Sequence, residues 1–384
     1  MSKIKILWIV YDFVQAGGQR VVFDICKALD KDKYQIDILK LSPMNYDTTF
    51  SSEFYYEPSL KLNIRVFLLQ DLYNHNKIKK TILKQITNKI KRKIGINVSK
   101  PLTKKEILTT FLEQYKFLHF SGISVYEDLF IRNGLYFENA IIHLMTARFQ
   151  DSKLYDGFNK TDKYSFMGGF NIATASFELE KFSLYDYIYF PLSIEAKTFE
   201  VPINKTEQLK IGIFTRLYYM KPLDPYLYAL KLLVEQGLNV KLYLYGSGNP
   251  DKIGLTRQLE YLYLTSFVEI CGHTDSIKDT LINNPLDLVW FQAANSQVAG
   301  LAAFEVALGA VPQVLWDFNF LNAESEVSNY FKSFTNLIKF VDYSKDLLLH
   351  KNKLKELGLL QQSYIFEEHS IEKNISILEQ KYDS

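Results

Sequence analysis

The stretch Asn284–Trp316, NPLDLVWFQAANSQVAGLAAFEVALGAVPQVLW, leaves a chain few ways to fold. Leu286–Phe291 is a largely apolar run bounded by Pro and polar residues, the pattern of a strand buried on both faces. A loop of small residues follows, and the spacing then predicts a helix over roughly Val298 to Leu308. Gly309 stands where a left-handed cap is expected, Pro312 blocks continuation, and Gln313–Leu315 reads as the next strand. One acid, Glu305, lies on this otherwise apolar helix. A carboxylate in such a place is costly unless it finds hydrogen-bond partners. Hydroxyl groups of a ligand at the carboxyl ends of the strands would suit it.

The same strand–helix alternation runs through the chain. Ile4–Tyr11 reads as a buried strand, Asp12–Gly18 as a loop, Gln19–Leu29 as an amphipathic helix and Lys33–Leu41 as the next strand. Further strands are expected at Lys116–Phe120, Ala140–Met145, Asn171–Ala175 and Tyr187–Pro191. Ile194–Gln208 reads as a linker. Leu209–Thr215, Val240–Tyr245 and Phe267–Cys271 then repeat the pattern, and Tyr343–Tyr382 has amphipathic helical spacing. Asp224 is expected to cap a helix with Pro225 in its first turn, and Gly237 to close it. Alternation of this kind implies parallel sheets, and 384 residues suffice for two separate cores. Gly17 and Gly18 precede the first helix, where free backbone N–H groups favour an anion. The dinucleotide fingerprint GxGxxG is absent, which argues against a dehydrogenase.

Charge is concentrated. Residues 76–105 hold 11 Lys and Arg and no acid, leaving 34 basic against 43 acidic residues elsewhere. Ile78, Ile82, Ile86, Ile90 and Ile94 recur every four residues, so a basic helix with an apolar stripe is expected, suited to an anionic membrane surface. The bland alternative is an insertion packed on its own domain with solvated lysines. Nucleic acid fits less well, because no aromatic residues interleave with the charges. Cys26 and Cys271 have no partner spacing, and no metal site is expected; Asp30-Lys-Asp32 reads as solvated surface. MSKIKILWIVYDF lacks both a signal-peptide cleavage site and the length to span a bilayer. The expectation is a cytoplasmic protein, peripheral at the inner face of the cell membrane if the basic segment binds there.

GLAAFEVALGAVPQV resembles the sugar-nucleotide motif of family 4 glycosyltransferases, with Glu305 on its second acid, Gly300 on its Gly and Gly309–Val311–Pro312 on its tail. Gln297 replaces the first acid. RLYYMK is similar to the family's Arg-x-x-x-x-Lys, with Arg216 and Lys221 at the same separation, and AGGQR to its Gly-Gly loop. The order of these motifs, with GSGNP between them, carries the specificity. The resemblance implies the GT-B architecture: two Rossmann-like domains facing each other across a cleft. Residues 1–193 would form the acceptor-binding domain, 194–365 the nucleotide-sugar-binding domain, and 366–384 a helix packing back on the first domain. It implies a retaining hexosyltransferase that moves a sugar from a nucleotide diphosphate donor, UDP favoured, to a glycan or lipid-linked acceptor in surface polysaccharide biosynthesis. No cofactor is expected, and an oligomer is left open.

By the same resemblance Arg216 and Lys221 would hold the diphosphate, as a bidentate fork and a point charge. Glu305 would bind the ribose, with Gly17, Gly18, Gly246, Gly248, Gly272, His273, Gly300 and Leu301 completing the nucleotide-sugar site. Gln297 would lie at the reacting face. His119 and His143 are the candidates for the family's histidine near the donor sugar, each also readable as a core residue, and Arg148 is a candidate acceptor ligand. Gln297 and the displaced histidine also motivate a second reading, a catalytically inactive relative that supports an active glycosyltransferase. A nucleotide-sugar epimerase, which shares the architecture, is a third.

Overall fold

A computed structural model describes residues 3–14, 17–42, 54–74, 102–135, 137–144, 164–169, 186–219, 221–293, 300–318 and 329–384. The chain divides into two compact units, Met1–Phe190 with Asn374–Ser384, and Pro191–Lys373. The predicted strand at Asn171–Ala175 and the basic segment up to residue 101 lie outside the described residues.

Unit 1 opens with strand β1 (Ile4–Val10), helix α1 (Gly17–Ala28) and strand β2 (Tyr34–Lys40). A short helix α2 (Tyr56–Lys61), strand β3 (Arg65–Leu68) and helix α3 (Lys104–Leu112) follow, then β4 (Phe117–Phe120), α4 (Ile123–Tyr126), β5 (Ala140–Leu144), β6 (Tyr164–Gly168) and β7 (Asp186–Tyr189). The sheet runs β3-β2-β1-β4-β5-β6-β7, parallel throughout. One of its faces buries Leu7, Ile9, Leu118, Phe120 and Ile142 with Leu108 and Leu112 of α3. Thr103 starts α3 with a capping box, its side chain receiving the Glu106 N–H while the Glu106 carboxylate receives that of Thr103.

Unit 2 contains β8 (Leu209–Phe214), α5 (Asp224–Glu235), β9 (Val240–Tyr245), α6 (Leu255–Tyr261), β10 (Val268–Gly272), α7 (Ile277–Asn283), β11 (Leu288–Gln292), α8 (Gly300–Leu308), β12 (Gln313–Trp316) and β13 (Ser333–Phe334). Three helices end the chain: α9 (Leu337–Leu349), α10 (Lys351–Glu368) and α11 (Ile371–Asp383). The sheet order is β10-β9-β8-β11-β12-β13, again parallel. Its core joins Ile211, Ile213, Leu242, Leu244 and Trp290 to the apolar stripe of α5.

Two local expectations are corrected. Gly309 is not the left-handed residue; Ala310 is, with φ 52°. Gly309 is small for a different reason: a Cβ there would lie 2.8 Å from the Phe199 ring. Asp224 does not cap α5 but forms its first residue, with Leu223 at the cap, and its carboxylate accepts from Gln258 Nε2 at 2.8 Å.

The last helix returns to unit 1. The Tyr382 hydroxyl lies 3.0 Å from His119 Nδ1, the Tyr34 hydroxyl donates to Asp383 Oδ1 at 2.8 Å, and Lys381 pairs with Asp186 at 2.6 Å. Tyr382 is completely buried against Phe117 and Tyr34.

Candidate functional site

In unit 2 the chain moves outward from β8 to β9 and β10, then returns to the other side of β8 as β11. Connections leaving β8 and β11 therefore diverge at the carboxyl ends of adjacent strands, the place where open parallel sheets receive ligands. Arg216 and Lys221 follow β8, Gly246 and Gly248 follow β9, Gly272 and His273 occupy the end of β10, and Gly300, Leu301 and Glu305 belong to α8 after β11. The topology brings all of these to one rim.

Three of the connections are laced together by backbone bonds. Thr215 N–H donates to Tyr245 O at 2.9 Å, Leu217 N–H to Ser247 O at 2.8 Å, and Gly246 N–H to Gly272 O at 2.7 Å. Leu217 and Gly248 form an isolated parallel bridge. Such proximity requires glycine. A Cβ on Gly246 would stand 1.6 Å from Thr215 O, and one on Gly248 2.3 Å from Leu217 O. Both also have φ values that L side chains rarely adopt, 154° and 131°. The Gly-rich loop is thus a device for bringing two backbones together, with the exposed Arg216 and Lys221 on the neighbouring loop.

Below this rim, Phe214 stacks on Tyr245 with ring centroids 4.8 Å apart, and the Tyr245 hydroxyl accepts from Asn284 Nδ2 at 2.7 Å. Asn249 steadies the far side of the loop by receiving the Asp251 N–H at 2.9 Å. Across the switch point, α8 buries Ala303, Phe304, Val306 and Ala307 and leaves Glu305 half-buried at the helix flank. Sequence reasoning missed what fixes this helix. Gln313, fully buried on β12, donates from Nε2 to Ala303 O at 2.8 Å. Its own backbone N–H and carbonyl are held by the side chain of Gln361 on α10, which also donates to Tyr330 O. A buried glutamine in a strand was the available signal, since it must be satisfied by something nearby.

The remaining candidates are placed differently. His273 is exposed and lies 3.4 Å from Asp275, an ordinary surface arrangement. Gly17 and Gly18 open α1 at the end of β1, where β1 and β4 form unit 1's own switch point; nothing lies within 4 Å of a Cβ built at either. Gln297 and Arg148 lie outside the described residues.

His119 and His143, the candidates for a histidine near the donor sugar, both lie in the core of unit 1. Both are buried on adjacent strands; His119 stacks on Trp8 with centroids 3.5 Å apart, and its Nδ1 meets the Tyr382 hydroxyl. Burial holds His143 down to about 3 and His119 well below the ordinary imidazole range, so both rings are neutral. His119 meets the last helix through Tyr382, while His143 packs edge-on to Trp8 and beside His119. Among the described residues no group of acidic, His and Cys side chains could hold a metal ion.

No protein-family model and no curated protein matches this sequence. Solved structures do. A point mutant of S. aureus TarM, crystallised with fondaparinux, alpha-GlcNAc-glycerol and UDP, superposes with a TM-score of 0.70 at 13% identity, over 99% of this chain and 100% of that one. Anabaena HepE in complex with UDP and glucose gives 0.67 at 12% identity, over 99% and 100%. A glycosyltransferase from Rickettsia africae gives 0.70 at 10% identity, over 100% and 98%.

The fold is GT-B. In this GT-B chain the laced connections and α8 all belong to the second of the two parallel-sheet units.

Proposed function

We propose that this protein is a retaining glycosyltransferase of family 4 type, which transfers a sugar from a nucleoside diphosphate donor, UDP favoured, to a glycan or lipid-linked acceptor in surface polysaccharide biosynthesis. The observation that carries the reading is the rim of unit 2. There Arg216 and Lys221 share one loop, glycines join that loop to its neighbour, and Glu305 lies across the switch point. This arrangement matches the parts of a nucleotide diphosphate: two cations for the phosphates, close backbone for the nucleoside, and a carboxylate for vicinal ribose hydroxyls. The UDP complexes of TarM and HepE support the same donor class.

In the proposed reaction the bond between the sugar's anomeric carbon and the diphosphate oxygen breaks, and the acceptor hydroxyl forms its bond on the same face. The acceptor proton passes to the leaving phosphate. Arg216 and Lys221 stabilise the charge that develops on the diphosphate, so catalysis is positioning and electrostatic stabilisation. The basic segment 76–105 would hold the enzyme at an anionic membrane surface. Among the described residues no helix is long and apolar enough to cross a membrane.

A second reading, an inactive GT-B subunit supporting an active partner, is favoured by the burial of both His119 and His143. Binding and hydrolysis across a panel of UDP- and GDP-sugars, with Glu305→Ala beside the native chain, separates the two. One donor bound and slowly hydrolysed, with both properties lost in the variant, supports the enzyme. Binding without turnover, with activity only in the presence of a partner, supports the subunit. No binding at all removes both.

A further inference from the structure

Helices α5 and α6 end in the same backbone motif with different residues. In α5, Gly237 N–H donates to Val234 O and Leu238 N–H to Leu233 O, with Gly237 at φ 83°. In α6, Tyr263 N–H donates to Glu260 O and Leu264 N–H to Leu259 O, with Tyr263 at φ 56°. The left-handed position of this motif normally takes glycine, because a side chain there is strained. Burial does not compensate Tyr263, whose surface is 82% exposed. Its ring has Lys231 Nζ 5.7 Å from the centroid.

Tyr263 is not isolated. Tyr261, two residues earlier, is also 82% exposed, and Tyr228 on α5 is 46% exposed. The two helices are tied at their starts by the Gln258–Asp224 hydrogen bond and further along by Lys231 against Tyr263. Asp224, Tyr228 and Lys231 follow helical spacing on α5, as Gln258 and Tyr261 do on α6, so Tyr228 and Tyr261 belong to the stripes that these contacts join. Three exposed tyrosines thus belong to one pair of joined helices, a ledge on the surface of unit 2.

We propose that this ledge is a second carbohydrate site that binds the pyranose rings of an uncharged glycan chain. Tyrosine offers a flat apolar face with a hydroxyl at its rim, which suits a sugar's C–H face edged by hydroxyls, and it loses little conformational entropy on binding. Charged residues interrupt the ledge: Lys231 pairs with Glu235 at 3.2 Å, and exposed Arg257 and Glu260 share α6 with Tyr261. Protein interfaces exclude such charges from their cores. A polyhydroxylated ligand tolerates them, and the balance of signs favours a neutral polymer over an anionic one.

The test is electrophoresis of the full chain through native gels cast with dextran, hydroxyethyl cellulose or soluble starch. Native protein should be retarded in at least one gel relative to a polymer-free gel, and the shift should disappear in Tyr228→Ser/Tyr261→Ser/Tyr263→Gly. Tyr263→Gly alone should reduce the shift while leaving the thermal midpoint unchanged or raised, a combination that loss of folding cannot produce. Glu305→Ala should be retarded like the native chain, so the ledge is judged independently of the donor site. Equal retardation of the triple variant, or no retardation of native protein in any of the three gels, would overturn the proposal. So would self-association in sedimentation, without polymer, that the same substitutions abolish.

Discussion

The carbonyl oxygen of Thr215 occupies the space that a side chain on Gly246 would need, 1.6 Å from the ideal Cβ position. Two main chains meet there, so no rotamer change can relieve the overlap. Gly246→Ala should separate the connections after β8 and β9 and abolish nucleotide binding. Gly237→Ala is the comparison, with φ 83° but nothing within 4 Å of the added methyl, and should cost only the left-handed strain of about 1–2 kcal/mol. UDP titration calorimetry on both variants checks the contrast; equal binding by the two would refute it.

Arg216 and Lys221 are proposed to hold the diphosphate by different means. Removing a charge-assisted contact costs about 1.5–3 kcal/mol, so Arg216→Ala should weaken UDP binding by roughly 10- to 100-fold. Arg216→Lys should recover only part of the loss, because a point charge cannot reproduce the bidentate fork. Competition against a fluorescent UDP analogue gives the series; a lysine variant as tight as the native protein would argue against the fork.

Three buried histidines make stability depend on pH. Burial depresses His143 to about 3 and His369 to about 4, and holds His119 well below its ordinary value. A folded-state value below the unfolded one of about 6.5 means that protons bind the unfolded chain first as pH falls. The contribution is therefore complete above pH 6.5 and is lost progressively toward the folded values. Each group removes up to about 1.4 kcal/mol per pH unit in that range. Urea midpoints at pH 7.5, 6.5 and 5.5 should fall slightly over the first step and about three times as much over the second, a window above the range where paired carboxylates titrate. A flat profile to pH 5.5 would show that these rings are solvated.

The Gln361 side chain satisfies three backbone groups, the buried N–H and carbonyl of Gln313 and the half-buried carbonyl of Tyr330. Gln361→Leu preserves volume and leaves these groups without their partner. The loss should destabilise unit 2 by roughly 2–5 kcal/mol. Gln362→Leu, next to it, removes a single bond to Leu308 O and should cost about 1 kcal/mol. Denaturant melts of the two variants measure the difference, and equal losses would count against the clamp.

Residues 76–105 are proposed to touch an anionic surface. Deleting 76–100 should abolish sedimentation with phosphatidylglycerol vesicles and leave donor binding intact. Retained sedimentation would assign those lysines to another role.

The repeating apolar strands were legible because burial on both faces writes itself into composition; Val240–Tyr245 coincides with the observed strand. Short elements were not. Ser333–Phe334 has only two residues and is a strand because it pairs with Leu315 and Trp316. At the rim, the family resemblance singled out Arg216, Gly246 and Glu305, and strand order puts the connections that carry them after neighbouring strands. Spacing could not say that Gly246 exists for Thr215, or Gly309 for Phe199, because those partners are distant in sequence. Nor could it place His119, whose partner Tyr382 lies 263 residues further on. The Gln313–Gln361 clamp was invisible for the same reason.

Because Asn374–Ser384 belong to unit 1, that unit cannot be completed until all of Pro191–Lys373 has been synthesised. Until Tyr382 is synthesised, His119 and Trp8 lack their cover, while every residue of the second unit has already been made. Loss of Tyr382 therefore injures the unit built around Ile4–Val10, hundreds of residues earlier in the sequence.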